Sequence, residues 1–443
     1  MSSYCMNVRC YTIINFERTA IFRQARMKFV LAFSVLIVAY CALPVSSEGL
    51  QEKRLWKAIG GFGHSLLREV LGRQKHKENV LLSPLSVHSA LSMIVFAALD
   101  KTKSELVRTI RTGNNVEELA NAYSTFTSRQ YENTTRADLQ LTLRLANRMY
   151  VRKSSPLDPT YVDQLESTFN GNAVNVDFAR NEVIKNEIND FVEQKTDGLI
   201  HEILKKPLDK DTAMVLVNAL YFKGYWEYQM QDMVETLKFN EGCLRLEQQH
   251  RKWLTFIGRL PYIDSDQLHA KVLLIPYMSS QFSASMLIVM PREEYQCNIK
   301  NWLKYHEWES LMHIIDFMLV RNVNLTLPRF EIDYRAMLRD ALQRMGMERS
   351  FSSSKANLST LLTTSDEQFQ IDQVVHGAKI IVTKFGTETA AASASVTRPK
   401  PTASPREPSI KLSVNKSFYV AVLYGKFRAE QILPLFTGVV INV

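Results

Sequence analysis

Four short motifs that would name a catalytic chemistry are missing from this 443-residue chain. There is no G-x-S-x-G elbow, no H-E-x-x-H, no C-x-x-C and no G-x-x-x-x-G-K-[ST] phosphate loop, so no motif points to a hydrolase, a metal centre or a cofactor. Gly61-Phe62-Gly63 lacks the third glycine of a dinucleotide loop and reads as the start of a helix. Cysteine is scarce. Of five, Cys5, Cys10 and Cys41 lie near the front, which leaves Cys243 and Cys297 and excludes a disulfide scaffold; one bridge between those two stays open. The formal charge of +9 is unevenly spread: residues 1–47 carry a net +4 and the rest only +5, without aromatics interleaved among the basic residues. That excludes a nucleic-acid groove. Internal repeats are also absent.

Phe29–Val45 is an uncharged apolar run, preceded by basic residues and followed by Ser46-Ser47-Glu48. Seventeen residues broken by Pro44 are short for a membrane span. With small residues at its end, the run reads as a secretory signal peptide, and Met27-Lys28 offers a more conventional start than Met1. Residues 1–47 are therefore expected to be a leader and 48–443 one folded domain, extracellular and without a membrane anchor after signal removal. Sequons at Asn133, Asn324, Asn357 and Asn415 suit a secreted glycoprotein. Asn324 and Asn415 fall in apparent strands and are expected to be used less.

What remains is a chain 46% hydrophobic and 22% charged, enough to bury a large core. Helical patterns cover Leu55–Leu71, Val116–Thr127 and Asn181–Lys195. Asn79–Leu99 reads as a short strand followed by Ser-Pro opening a helix. Strands are expected over Leu139–Val151, Val272–Pro276, Ser285–Met290, Ile410–Val414, Phe418–Tyr424 and Leu435–Ile441. Asp211–Trp226 is nearly continuously apolar, as a strand buried on both faces should be. Val323–Ile332 reads as a strand leading into a helix over Ala336–Met345, stopped by Gly346. Early helices, late strands and no dividing linker favour one α+β domain.

The segment Lys384–Ser395, KFGTETAAASAS, stands out. Gly386 lets the chain turn without a Cβ penalty. With a period of two, Thr387, Thr389, Ala391 and Ser393 face one way, and Glu388, Ala390, Ala392 and Ala394 the other. Small side chains ahead of the proline-rich stretch Pro399–Pro408 suit a segment that lives outside a sheet and later joins it; a flexible linker is the plainer alternative.

An ordered set of segments resembles the serpin family of serine-protease inhibitors. Asn79-Val-Leu-Leu-Ser-Pro-Leu-Ser86 is similar to its N-x-x-x-S-P-x-S. Leu145–Tyr150, Val176–Phe178, Ile188–Ile200, Val217–Trp226, Leu327–Phe330, Leu342–Met347 with Phe351, and His376–Ala394 follow in the family's order. The resemblance runs from about Leu55 to Asn442. It implies a single α+β serpin domain with three β-sheets and about nine helices, and an exposed reactive loop spanning about 384–409. The expected activity is suicide inhibition, not enzymatic turnover: a protease cleaves the bait, is trapped as an acyl-enzyme, and the loop inserts into the main sheet.

By the same resemblance Gly386, Thr387, Glu388, Thr389, Ala390, Ala391 and Ala392 form the hinge. Ser83, Ser86, Asn218 and His376 fall at the shutter under that sheet, with Trp226 where the loop first joins. A Ser–His pair could suggest catalysis, but no orienting carboxylate accompanies it, and a buried hydrogen-bond network is the better reading. Lys384, Thr389 and Gly377 depart from the family's usual acid, alanine and lysine. Register places the cleaved bond at Lys400–Pro401, although proline after the bond blocks trypsin-like enzymes; Arg398–Pro399 shares that fault. Arg406–Glu407 and Thr402–Ala403 are the alternatives, the first basic and the second suited to an elastase-like enzyme. The expected partner is a trypsin-like serine protease of an extracellular cascade, met by a monomer that needs no metal or cofactor. A glycosaminoglycan contact through Arg68, Arg73, Lys75 and Lys77 is conceivable. A non-inhibitory carrier, storage or chaperone-like role is the alternative function.

Overall fold

The computed structural model describes residues 47–74, 78–113, 115–134, 141–233, 239, 252–278, 284–296, 298–364, 369–387, 409–425, 427 and 432–443. Two compact units divide at Leu50/Gln51. Every strand and every site below belongs to the second, Gln51–Val443.

Fifteen strands appear in chain order among the described residues. The first eight are β1 (Val80–Leu82), β2 (Leu141–Arg152), β3 (Asn172–Val176), β4 (Met214–Tyr225), β5 (Gln231–Asp232), β6 (Trp253–Ser265), β7 (Ala270–Pro276) and β8 (Ala284–Pro291). Then come β9 (Leu319–Pro328), β10 (Phe330–Met337), β11 (Gln373–Val382), β12 (Gly386–Thr387), β13 (Ile410–Ser413), β14 (Phe418–Tyr424) and β15 (Leu433–Val440). They form two hydrogen-bonded sheets, not the three expected. The nine-stranded one runs β1-β15-β14-β8-β7-β6-β9-β13, with β5 on β6. Its two ends are continuous because the long strand β6 pairs with β9 over Trp253–Tyr262 and with β7 over Tyr262–Ser265.

The six-stranded sheet runs β10-β11-β12-β4-β2-β3, with β11 and β4 also paired directly. β2 and β4 are antiparallel over eleven residues, Leu141↔Gly224 to Val151↔Met214. β11 and β4 are parallel over Gln373–Ala378 and Val215–Leu220. Such a pairing needs a long crossover, and the chain between them supplies it.

Helix Pro84–Ala97 lies between the sheets, and all its residues but Phe96 are buried. Ser83 caps it by accepting from the Ser86 N–H, and Pro84 occupies the first turn, where its missing N–H costs nothing. Alternation along β4 decides which core each residue joins. Met214, Leu216, Leu220 and Phe222 join the main core on the side of this helix. Val215, Val217 and Ala219 face a second cluster built by helix Asn181–Lys195 and the loop after it, through Ile188, Val192, Ile200 and Ile203.

Some sequence expectations need correction. Gly61 and Gly63 sit inside helix Ser47–Arg73, not at its start. Close packing explains them: a Cβ at Gly63 would lie 2.4 Å from the Pro84 ring, and one on the neighbouring Gly60 would lie 2.0 Å from Trp308. The strand expected over 323–332 is two strands in different sheets, broken between Pro328 and Phe330. The helix expected at 336–345 is only Arg339–Arg344, since Ala336 and Met337 still pair with β11. Asn415 lies in the connection after β13, outside any strand, whereas Asn324 is within β9. Helices Asp100–Thr109, Pro159–Phe169, Ile299–Tyr305 and Trp308–Asp316 had no counterpart in the sequence reading; ten α-helices occur among the described residues.

Candidate functional site

The seam between β4 and β11 is closed at the bottom and parted at the top. At its foot the Asp372 carboxylate accepts from the N–H groups of Ala213 and Met214, at 2.5 and 3.2 Å, and Asp372 N–H donates to the Met214 carbonyl at 2.8 Å. Direct pairing then runs up to Ala378↔Leu220. Higher up, β12 stands between the strands. Gly386 and Thr387 pair antiparallel with Tyr225 and Gly224 on one side, and Thr387 pairs with Val382 on the other.

Only glycine fits the tip of this wedge. A Cβ on residue 386 would lie 2.1 Å from the Gly224 carbonyl oxygen and 2.8 Å from the Tyr225 Cα, both backbone atoms that cannot swing away. Thr387 is 1% exposed. Its hydroxyl meets the Tyr277 hydroxyl at 2.5 Å, and burial holds the Tyr277 phenol above the usual tyrosine range. Tyr277 stacks on Trp226, with ring centroids 4.6 Å apart. The Trp226 indole N–H donates to the Thr383 carbonyl at 2.9 Å, and its backbone N–H donates to the Phe385 carbonyl at 3.0 Å. Trp226 is thus both a core aromatic and the anchor of the turn leading into the wedge.

Halfway down, Ser83, Ser86, Asn218 and His376 come together, all fully buried. His376 and Asn218 are direct partners across the seam. The Ser83 backbone N–H donates to His376 Nε2 at 3.1 Å, so that nitrogen is unprotonated and Nδ1 carries the hydrogen. Nδ1 donates to Asn218 Oδ1 at 2.6 Å. Asn218 Nδ2 donates to the Val375 carbonyl at 2.9 Å, a second bond across the seam. The Ser86 hydroxyl lies 3.3 Å from both the Ser83 carbonyl and Asn218 Oδ1, so it shares its one proton between them. Burial pushes the His376 imidazole down to about 3.

This geometry gives His376 no role as a base toward either serine. Its one acceptor nitrogen is filled by a main-chain N–H, and the charged form is strongly disfavoured. A hydrolytic Ser–His site is therefore overturned in favour of the buried network.

Two departures from the family pattern have local partners. Lys384, where an acid is usual, pairs with Asp232 on β5 at 2.6 Å. At Gly377, a Cβ would lie 3.0 Å from Ile203, so the second core fills that space. Sequence reasoning missed Tyr277, Asp372 and Asn147. Only Asp372 carried a signal, as an acidic residue at the foot of an apolar strand. Glu388, Thr389, Ala390, Ala391 and Ala392 lie outside the described residues, as do Lys400, Pro401, Arg406, Glu407, the alternative Thr402–Ala403, Cys243, Cys297, the leader at 1–46, Lys75 and Lys77. The Asn133 side chain does too. Arg68 is paired with Glu307 at 2.7 Å.

A sheet with a small-residue wedge begun at its centre points to one family, and a comparison decides it. The family model for serpins, the serine protease inhibitors, matches residues 57–443. The chain is a serpin. It is 31% identical over 346 residues to mouse leukocyte elastase inhibitor A, covering 74% of this serpin and 86% of that protein. With human serpin B8 the identity is 28% over 348 residues, covering 77% and 89%. Human thyroxine-binding globulin in complex with its ligand superposes with a TM-score of 0.75 at 21% identity, over 88% of this chain and 99% of that one. Mouse protein-Z dependent protease inhibitor gives 0.75 at 20%, over 90% and 100%. At such identities the solved structures establish the serpin fold alone. The family is one of serine protease inhibitors, and the relatives it resembles include leukocyte elastase inhibitors.

Proposed function

We propose that this serpin is a secreted inhibitor of a trypsin-like serine endopeptidase, acting in an extracellular proteolytic cascade. One observation carries the mechanism: Thr387 already lies between β4 and β11, while the same two strands are still paired directly below it. The sheet thus has a place for one more strand, and the chain's own hinge is seated at its mouth. The protease serine adds to the scissile carbonyl, the peptide C–N bond breaks, and the new amine leaves with the proton. The severed hinge then enters the seam from Thr387 downward and carries the ester-linked protease with it. Each inserted residue gains ladder hydrogen bonds on both sides, which drives the step. Ser83, Ser86, Asn218 and His376 act as the shutter that must open, and Gly386 to Ala392 as the hinge that enters.

The trypsin-like target follows from Lys400 at the register-expected position and from Arg406 beyond it. Secretion follows from the apolar run Phe29–Val45 behind its basic residues, and the four sequons agree with it. Incubation with trypsin-, chymotrypsin- and elastase-like enzymes tests the proposal. An SDS-stable complex with a trypsin-like enzyme, and mass spectrometry of the released C-terminal peptide placing the cut after Lys400 or Arg406, are expected. A complex only with an elastase-like enzyme, cut after Thr402, would overturn the specificity while keeping the mechanism.

A second reading, a non-inhibitory carrier, storage or chaperone-like binder, is favoured by one feature: proline follows both Arg398 and Lys400. It predicts cleavage without any complex.

A further inference from the structure

We infer that Asn147 is a positioning residue for sheet opening: its side chain has no hydrogen-bond partner among the described residues while the seam is closed and receives the Asn218 amide when the seam parts. The inference rests on the loop-insertion reading above. Asn147 lies on β2 directly opposite Asn218 of β4, and Asn218 lies directly opposite His376 of β11, so the three side chains share one face at one level of the sheet. Asn147 is 4% exposed, yet neither its amide oxygen nor its amide nitrogen has a hydrogen-bond partner among the described residues. A wholly unpaired buried amide beside a saturated one is a costly arrangement that a simpler side chain would avoid.

The arrangement makes sense when both states of the sheet are considered. In the closed sheet Asn218 is turned toward β11, donating to the Val375 carbonyl and accepting from His376. An inserted strand pushes β11 one strand spacing away, about 4.8 Å, and that donor bond cannot survive. Directly opposed residues on antiparallel strands hold their Cβ atoms about 4.5–5.5 Å apart, within reach of an amide–amide bond. β2 remains paired to β4 on the side away from the seam, so Asn147 stays in place as the strand comes in. A bond made only in the open sheet favours the open sheet.

Asn147→Leu, close in shape but apolar, separates this role from ordinary packing. Intact and bait-cleaved forms of the full chain are melted, and the stoichiometry and rate of inhibition are measured with trypsin. The intact variant should melt at or above the wild-type temperature and the cleaved variant several degrees below its wild-type counterpart. The stoichiometry of inhibition should rise roughly twofold or more with the association rate unchanged, because a lost hydrogen bond is worth about that factor or more. Equal shifts in both forms, or an unchanged stoichiometry, would overturn the inference. Asn147→Ala gives the same comparison if the leucine variant does not fold. Wild-type protein that gains no thermal stability on cleavage sinks the insertion reading itself, a result distinct from failure of the Asn147 role.

Discussion

The upper and lower halves of the β4–β11 seam are built from the same two strands and behave as opposites. Above, Gly386 and Thr387 hold the strands apart, the ladder passes through a third segment, and the side-chain contacts include the Tyr277–Thr387 hydroxyl pair and the Thr383 hydroxyl donating to the Gly386 carbonyl. Below, the strands pair directly, His376 and Asn218 bridge them, and Asp372 pins the foot. Under the proposed insertion the difference shows where free energy is held: the top already seats two residues between the strands, and the bottom is held shut by interactions that a full strand would replace.

Breaking the top should have the largest effect. Thr387→Arg places a guanidinium where the native side chain is 1% exposed, and burying it unpaired costs several kcal/mol. Insertion then loses its race with hydrolysis of the acyl-enzyme. The expected outcome is a rise of roughly tenfold or more in the stoichiometry of inhibition, one decade for each 1.4 kcal/mol, seen on gels as cleaved serpin in place of covalent complex. Undiminished complex formation would show that the wedge is not the point of insertion.

Breaking the bottom should act on the intact molecule instead. Asn218→Ala removes the acceptor of the His376 Nδ1–H and the donor to the Val375 carbonyl. Stranding buried polar groups should lower the stability of the uncleaved protein by about 2–4 kcal/mol in urea unfolding. Acid probes His376 as well, together with His88 of helix Pro84–Ala97, which bonds to the Tyr123 hydroxyl and the Ile110 carbonyl. Both are held neutral by burial, each pushed down to about 3, against an ordinary value of 6.5. The unfolded chain therefore binds protons first, so their contribution is intact above pH 6.5 and is lost as pH falls from there toward 3. Between pH 7.5 and 5.5 the two imidazoles should together remove roughly 2–3 kcal/mol, measured by denaturant midpoints at each pH.

Register sharpens the comparison further. Thr387 faces Gly224 and Val382, and each step along an antiparallel insert moves one step back on both neighbours. Six further residues bring Ser393 opposite both Asn218 and His376. Ser393 lies outside the described residues, but its place in an inserted strand follows from those pairs. Its hydroxyl would take over from His376 on Asn218 Oδ1. Ser393→Val should leave the intact protein unchanged and cost the cleaved form about 1–2 kcal/mol, with Ser393→Thr restoring it. Differential scanning calorimetry of both forms checks this.

Much of this fold is legible in the sequence because its signals are local. The Ser83-Pro84 helix start and the unbroken apolar run of β4 need nothing beyond their own residues, and both lie where the pattern placed them. Long-range features were not legible. The Val323–Ile332 pattern is continuous in hydrophobicity, and only pairing with different neighbours divides it between two sheets. Gly60 and Gly63 exist for Trp308 and Pro84, which no window of sequence brings beside them. That Ser83, Ser86, Asn218 and His376 belong together was readable through family order, and they do form one buried cluster. Tyr277 and Asn147 matter through partners, or the want of one, that only the folded sheet reveals.

The smallest effect should come from the wedge's outer support. Lys384 pairs with Asp232 at 2.6 Å, with the lysine side chain 35% and the aspartate 47% exposed. An ion pair this wet is worth about 0.2–1 kcal/mol and weakens as salt rises. It nonetheless ties the turn before Gly386 to β5 on the other sheet, at the mouth of the seam. Lys384→Glu sets two carboxylates against each other there and should loosen the turn without placing any charge inside the seam. The stoichiometry of inhibition should change by less than about twofold, and the difference from wild type should vanish in molar salt, where screening acts within about 3 Å. A loss as large as that of Thr387→Arg would mean that the turn, and not the seated threonine, governs how the top of the seam is held.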